Sequence, residues 1–328
     1  MAVDAAGEAD TSKVKDTRDR CDSGGEARAQ GRDRDKGNAS TVVVPAAAAD
    51  VAARSTRSLA DSMSSLNGKV GLVVGVANKR SLSWAIAQAA GSTGASLVLT
   101  YQGRFEEHVN ELAATLPDAP ASQSGSVRPL VLPLDVQQDA EIDAVFARIR
   151  EEHGGLDFLV HGVAFANRDD ISNPFIQTSR QGFALAMDIS AYSLIALARG
   201  ARPLMEARGG GSIVTLTYLG STRVFPNYNV MGVAKAALES TVRYLASEIG
   251  QQNIRVNAIS AGPIKTLAAA GIGGFSNILG IVRERAPLRR TIEGSEVADA
   301  AMFLLSDSGR AVTGEVLMVD AGYHVVGM

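Results

Sequence analysis

From Leu66 onward, short apolar runs alternate with amphipathic stretches, and the alternation predicts a strand–helix repeat. Residues 70–75 (VGLVVG) are a continuous apolar run closed by glycine, as in a parallel strand covered on both faces. An Ala-rich helix is expected over 83–94, a strand over 95–101 (ASLVLTY) and a helix over 105–116. Residues 117–129, rich in Pro, Ser and Ala, read as a loop. A strand follows at 130–134, then a helix at 140–152 with Ile142, Val145, Phe146 and Ile149 apolar. Strand 156–161, long helix 180–207, strand 212–217, long helix 228–250, strand 254–259, helix 296–305 and strand 316–319 complete the series. Such alternation specifies an α/β fold: a single Rossmann-type, doubly wound parallel sheet with helices on both faces. Nothing divides residues 63–328 into two domains, and no internal repeat is present.

Residues 1–62 break the pattern. Charged residues, Gly and Ala dominate up to Asp50, and large apolar residues are scarce apart from Val42-Val43-Val44. This stretch buries too little apolar area to offset its ordering entropy, so it is expected to be a largely disordered extension. Its acids, among them Asp4, Glu8, Asp10 and Asp16, do not fit an organellar transit peptide. Two readings stand: a genuine extension, or a true start at Met63.

Composition narrows the setting. The formal net charge is -3, which gives no sign of nucleic-acid or bulk membrane binding. The single cysteine, Cys21, rules out an intrachain disulfide framework and fits a reducing cytoplasm. No apolar stretch reads as long and charge-free enough to span a bilayer, and no secretory signal is present. His108, His153, His161 and His324 are scattered, without metal-ligand spacing, and Asp169-Asp170 reads as part of a solvated loop.

Candidate chemistry falls at predicted strand ends. Gly75, followed by Val76 to Leu82, lies between the first strand and first helix, where a dinucleotide pyrophosphate meets backbone N–H groups. The text is not G-x-G-x-x-G, so an ordinary tight turn is the competing reading. Asp135 and Val136 end the third strand, where a carboxylate accepts from an adenine amine or caps the next helix. The second strand ends at Thr100-Tyr101-Gln102 with no acid for a ribose 2′-hydroxyl, while nearby Arg104 would suit a 2′-phosphate. The text leans toward NADH and leaves NADPH open. Tyr218 follows the fifth strand. Tyr228 begins the next helix, and Lys235, seven positions on, lies two turns along the same face. A phenol and an ammonium so placed form a proton-donating, charge-stabilising pair, the cation favouring the phenolate. The competing readings are a packing tyrosine and a solvated lysine.

The segments Tyr218-Leu219-Gly220 and 227–235 (NYNVMGVAK) resemble the enoyl-acyl-carrier-protein reductases of bacterial type II fatty-acid synthesis, divergent short-chain dehydrogenases/reductases. So do 188–193 (DISAYS) and 256–269 (VNAISAGPIKTLAA). Carbonyl-reducing relatives carry Tyr four residues before Lys, a position held here by Met231; the spacing of seven is that of the enoyl reductases. The resemblance implies hydride transfer from NADH to the β-carbon of a trans-2-enoyl thioester. Tyr228 would bond the thioester oxygen, Lys235 the nicotinamide ribose, and Tyr218 would sit beside the reacting group. Gly75, Ser81, Leu82, Gln102, Asp135, Val136, Val163, Ile264 and Thr266 fall on its cofactor positions. Ala164, Phe165, Ala166, Met231, Ala268, Ala269 and Phe275 fall around the acyl group, with 266–277 as a mobile substrate loop. Where the family commonly has Ser-Ile-Gly, this chain has Gly162-Val163-Ala164, and the Ala164 methyl implies weaker binding of diphenyl-ether inhibitors. The resemblance further implies a homotetramer built on the two long helices and acyl carrier protein as partner, with Arg283, Arg285, Arg289 and Arg290 as candidate contacts. Two rivals stand: a reductase of another unsaturated thioester, and a nicotinamide-binding protein without catalysis.

Overall fold

The computed structural model describes residues 65–120, 126–266 and 275–327. The expectations for the leader and for 267–274, including Ala268 and Ala269, fall outside them. Seven parallel strands form one sheet: β1 (Val70–Val74), β2 (Ser96–Tyr101), β3 (Leu130–Pro133), β4 (Phe158–His161), β5 (Gly211–Thr217), β6 (Ile254–Ala261) and β7 (Val316–Val319). Their spatial order is β3-β2-β1-β4-β5-β6-β7, so the chain reverses direction across the sheet between β1 and β4. Ligands of such sheets bind outside the carboxyl ends of the strands at that switch point.

Strand period and helix period explain the layers. Val73, Phe158 and Val160 face one core and Leu72, Val74 and Leu159 the other, as alternation along a strand requires. The first core is closed by α1 (Leu82–Ser92), α2 (Glu106–Ala113) and α7 (Gly294–Leu305). The second is closed by α3 (Asp139–His153), α4 (Arg180–Glu206) and α5 (Asn229–Ile249). A helix α6 (Phe275–Arg285) contributes Val282 to the first core. Gly71 pairs with Phe158, and a Cβ on Gly71 would lie 1.9 Å from the Phe158 ring. That glycine therefore makes room for a fully buried Phe side chain, worth roughly 1.5–3 kcal/mol.

Several expectations need correction. The 117–129 loop contains a short antiparallel pair, Ala119–Pro120 with Ser126–Val127. Asp170 is not solvated: it lies in a short helix, Arg168–Ser172, is buried, and accepts from the Ser179 N–H at 3.0 Å. Residues 275–277, assigned to the mobile loop, begin α6. The helix α4 is long and apolar enough, by length and composition alone, to cross a membrane, a test that buried core helices also pass; 56% of its apolar window is buried inside this fold. It also carries a π turn, Asp188–Tyr192, between its α-helical halves.

Candidate active site

The site is assembled from the carboxyl ends of β1, β4, β5 and β6. Gly75 follows β1 with φ +93°, a conformation that other residues rarely adopt. A Cβ there would lie 2.3 Å from the Gly162 carbonyl oxygen, so β1 and β4 emerge side by side. Ser81 precedes α1 without capping it, and the first turn of α1 holds no acid. The Ser81 hydroxyl instead donates to Asn78 O at 2.7 Å, stabilising the turn. An uncapped helix start beside a bare-backbone crevice suits an anionic pyrophosphate. Leu82 opens α1 and is half-buried.

Gly162 carries no side chain beside β1, and the structure shows what takes that space. A Cβ on Gly162 would lie 1.9 Å from Ser83 Oγ, and Ser83, from α1, donates to Val74 O at 3.1 Å. A hydroxyl therefore fills this gap from the helix rather than from the loop.

The candidate adenosine side lies at the ends of β2 and β3. Leu134 N donates to Tyr101 O at 2.8 Å, which brings exposed Gln102 close to Asp135 and buried Val136. Asp135 does not cap α3; Gln138 holds that position. Asp135 Oδ1 accepts from Gln137 N at 3.0 Å instead. A cavity of about 240 Å3 beside the β1 turn is lined by Ala77, Asn78, Arg104, Phe105 and His108. A larger groove of about 530 Å3, between α3 and α4, has none of the strand-end residues in its lining, and we assign the chemistry to the sheet edge.

The reacting end is built on β5 and α5. Tyr218 follows β5, and its ring meets Phe225 at 5.0 Å and Tyr228 at 5.1 Å. Tyr228 sits at the N-cap of α5 between Asn227 and Asn229, which have φ of 59° and 37°. Two exceptions to ordinary backbone geometry on either side of one residue are costly and tolerated only where the surroundings enforce them. Here the Asn229 amide donates to Ile171 O and Asn173 O, both at 2.7 Å. Gly220 abuts Tyr228: a Cβ there would lie 2.5 Å from the ring.

Burial, followed by the charges of Tyr218 and Glu239, raises the Tyr228 phenol well above its usual range. The expectation that a cation would favour the phenolate is thus overturned, because desolvation dominates. Tyr218 is raised as well, chiefly by burial. Both are neutral hydrogen-bond donors at physiological pH. Lys235 is buried, and its Nζ donates to Leu216 O at 2.7 Å. Burial lowers its pKa to about 8, against the raising effect of Glu239.

The π turn of α4 ties the other loops to this centre. Phe165 N donates to Ser190 Oγ at 3.0 Å, and Ser190 Oγ lies 3.9 Å from Met231 Sδ. Ser193 Oγ donates to Ile189 O at 2.6 Å. That leaves His161 Nε2 to donate to Ser193 at 2.8 Å while Nδ1 accepts from Thr215 at 2.8 Å. Burial and nearby Lys235 drop His161 to a pKa of about 3, so it is a neutral strut.

Val163 and Ala166 are half-buried, Ala164 and Phe165 exposed. Ile264 and Thr266 continue from β6, with Thr266 N donating to Ile264 O at 2.8 Å. Phe275 is the first residue of α6. Among the candidate arginines, Arg290 is held by both Glu296 oxygens, at 2.8 and 2.6 Å, and Arg289 donates to Glu284 O. Sequence reasoning missed Ser83, Ser190, Thr217 and Glu239. Glu239 alone left a signal, an acid four positions beyond Lys235 inside an apolar helix.

Comparison with known proteins places the chain among described relatives. The family model described as Enoyl-(Acyl carrier protein) reductase matches residues 75–324. The chain is 53% identical over 270 residues to the NADH-dependent enoyl-acyl-carrier-protein reductase of Nostoc sp., covering 81% of this chain and all of that one. It is 52% identical over 262 residues to the Bacillus subtilis protein of the same description, covering 80% and 98%. The Bacillus cereus enoyl-acyl carrier protein reductase, solved with NADP+ and indole naphthyridinone, superposes with a TM-score of 0.75 at 53% identity, covering 80% and 99%. The Anaplasma phagocytophilum reductase, solved with NAD, gives 0.74 at 47%, covering 80% and 96%.

Proposed function

This chain belongs to the enoyl-(acyl carrier protein) reductase family, and from that membership we infer that it reduces the trans-2 double bond of enoyl-acyl-carrier-protein thioesters with NADH, the last step of fatty-acid elongation. The observation that supports the assignment of roles is the pairing of Tyr228, half-buried at the N-cap of α5, with Lys235, buried two turns along that helix, at the switch-point edge of the sheet.

When bound, NADH would supply the hydride for the substrate β-carbon. The residues that would hold it are Gly75, Ser81, Leu82, Gln102, Asp135, Val136, Val163, Ile264 and Thr266, with Lys235 donating to the ribose hydroxyls. Open backbone at Gly75 and Gly162 and the uncapped start of α1 fit a dinucleotide. As negative charge builds on the thioester oxygen, the neutral Tyr228 hydroxyl donates to it, fixed in place by its flanking asparagines. Tyr218 packs against Tyr228 and limits water at the oxygen. Ala164, Phe165, Ala166, Met231, Ala268, Ala269 and Phe275 would surround the acyl chain, with 266–277 closing over it. NADPH as an alternative donor is favoured by one observation, the Arg104 guanidinium bordering the cavity next to the β1 turn.

The partner is acyl carrier protein. Arg283 and Arg285 remain as contacts for its acidic surface, since Arg290 is engaged with Glu296. The enzyme acts in the cytoplasm as a homotetramer assembled through α4 and α5. The extension 1–62 lies outside the reductase domain 63–328.

Nicotinamide oxidation with crotonyl or longer enoyl thioesters tests the reading. Removing one such oxyanion donor costs ~3–4 kcal/mol, so Tyr228→Phe should lose roughly 100- to 1,000-fold in turnover with NADH affinity kept. Lys235→Ala should lose NADH affinity as well. Unchanged turnover in the first variant, or unchanged NADH binding in the second, refutes the roles.

A further inference from the structure

Glu239 is a buried carboxylate that the reaction as described does not use. It lies one helical turn beyond Lys235 on α5, and the two are 7% and 6% exposed. The end of β5 grips both. Leu216 O accepts from Lys235 Nζ at 2.7 Å, and the buried Thr217 hydroxyl donates to Glu239 Oε1 at 2.7 Å. Two neighbouring strand residues thus fix two helix residues at one depth. A buried acid with one strand-supplied hydrogen bond and no surface role is costly unless its charge serves something nearby.

We propose that Glu239 is a positioning residue for the reductase reaction: held by Thr217 one turn from Lys235, and acting without an ion pair to it, its carboxylate favours the charged ammonium that Leu216 O seats at the end of β5, ready to receive the cofactor ribose. The inference rests on the role assigned to Lys235 above.

The groups around Lys235 leave Glu239 as the source of that charge. His161, from β4, is neutral above about pH 3. Tyr228 on α5 and Tyr218 beyond β5 are held protonated by burial. Asp320, from the segment after β7, accepts from His324 Nδ1 at 2.9 Å and acts on Tyr218. Glu239 opposes the burial that lowers Lys235, and the same charge helps keep the Tyr228 phenol protonated. One acid therefore holds both site groups in the donor form.

The test is the titration of Lys235 in the cofactor-free enzyme, followed by NMR of lysine labelled with 13C at Cε, together with the pH dependence of NADH affinity measured by fluorescence. In wild type the ammonium should titrate near pH 8. Glu239→Gln, close in shape and without charge, should titrate lower. Above the new midpoint NADH affinity should fall about tenfold for each unit the midpoint drops, with near-normal binding at pH 6. Thr217→Val leaves the charge and releases its tether; it should weaken NADH binding with a smaller displacement of the midpoint. An unchanged midpoint in Glu239→Gln, or an equal loss of affinity at every pH, overturns the proposal. If Glu239→Gln does not fold, Thr217→Val decides: NADH affinity equal to wild type overturns the proposal. Lys235→Ala separates the two readings. If it binds NADH normally the assigned role of Lys235 fails; if it loses binding while the Glu239→Gln midpoint stays put, only the present inference fails.

Discussion

Replacing Gly162 by alanine would place a methyl carbon 1.9 Å from Ser83 Oγ and 3.0 Å from Val74 O. The hydroxyl is not the far end of a flexible chain: it is buried and donates to the Val74 carbonyl that ends β1. Forcing a methyl into a packed site costs about 1–3 kcal/mol, and the loss here should fall in the upper part of that range because strand ends must separate. Ser83→Ala removes one buried hydrogen bond, about 1 kcal/mol. It leaves no orphan, since Val74 O also accepts from Gly162 N at 3.0 Å. The double variant relieves the first contact and keeps the second, so its loss should be about 1–2 kcal/mol, below the sum of the singles. The expected coupling is about 1–2 kcal/mol. Urea denaturation and calorimetry at fixed protein and NADH concentrations measure it; each kcal/mol corresponds to roughly 2–4 °C for a domain approaching this size. Strict additivity would show that the two positions do not share one space.

Gly220→Ala should displace the Tyr228 ring, which a Cβ there would approach to 2.5 Å; turnover should fall at least about tenfold with the fold kept by circular dichroism. His161 titrates near 6.5 in the unfolded chain and near 3 when folded. Its folded pKa is depressed, so its contribution is present above pH 6.5 and is lost, by up to about 1.4 kcal/mol per unit, as pH falls toward 3. Acid denaturation should be shallower in His161→Asn, and identical profiles would contradict this. Ala164 stands exposed beside the site; Ala164→Gly should tighten diphenyl-ether inhibition, checked by comparing inhibition constants.

Much of the fold was legible because strand and helix periods leave different marks. All seven strands of the sheet and the helices from α1 to α5 fall where the apolar pattern puts them, within a few residues. The helix α6 was missed because its Ala- and Gly-rich approach reads as loop. The Tyr228–Lys235 pair was legible because both lie on one helix, where sequence spacing is spatial spacing. Contacts made across elements were not: Ser83 meets Gly162, Ser190 meets Phe165, and Thr217 meets Glu239, each from distant text. The depth of Tyr228 was also hidden, so the sequence pointed to the wrong direction for its acidity.

The π turn of α4 gives the long helix a count as well as a shape. Its wider loop takes up about one residue beyond what an α-helix would need over the same rise, and one residue is about 100° of rotation. The half before it, with Leu185 and Met187, and the half after it, with Leu194 and Leu197, are thereby phased independently onto their neighbours. Substitutions along α4 change single contacts, whereas losing or gaining one residue there would turn a whole helical face away from the loop carrying Phe165. Chain length in this segment is thus a determinant of the site in its own right.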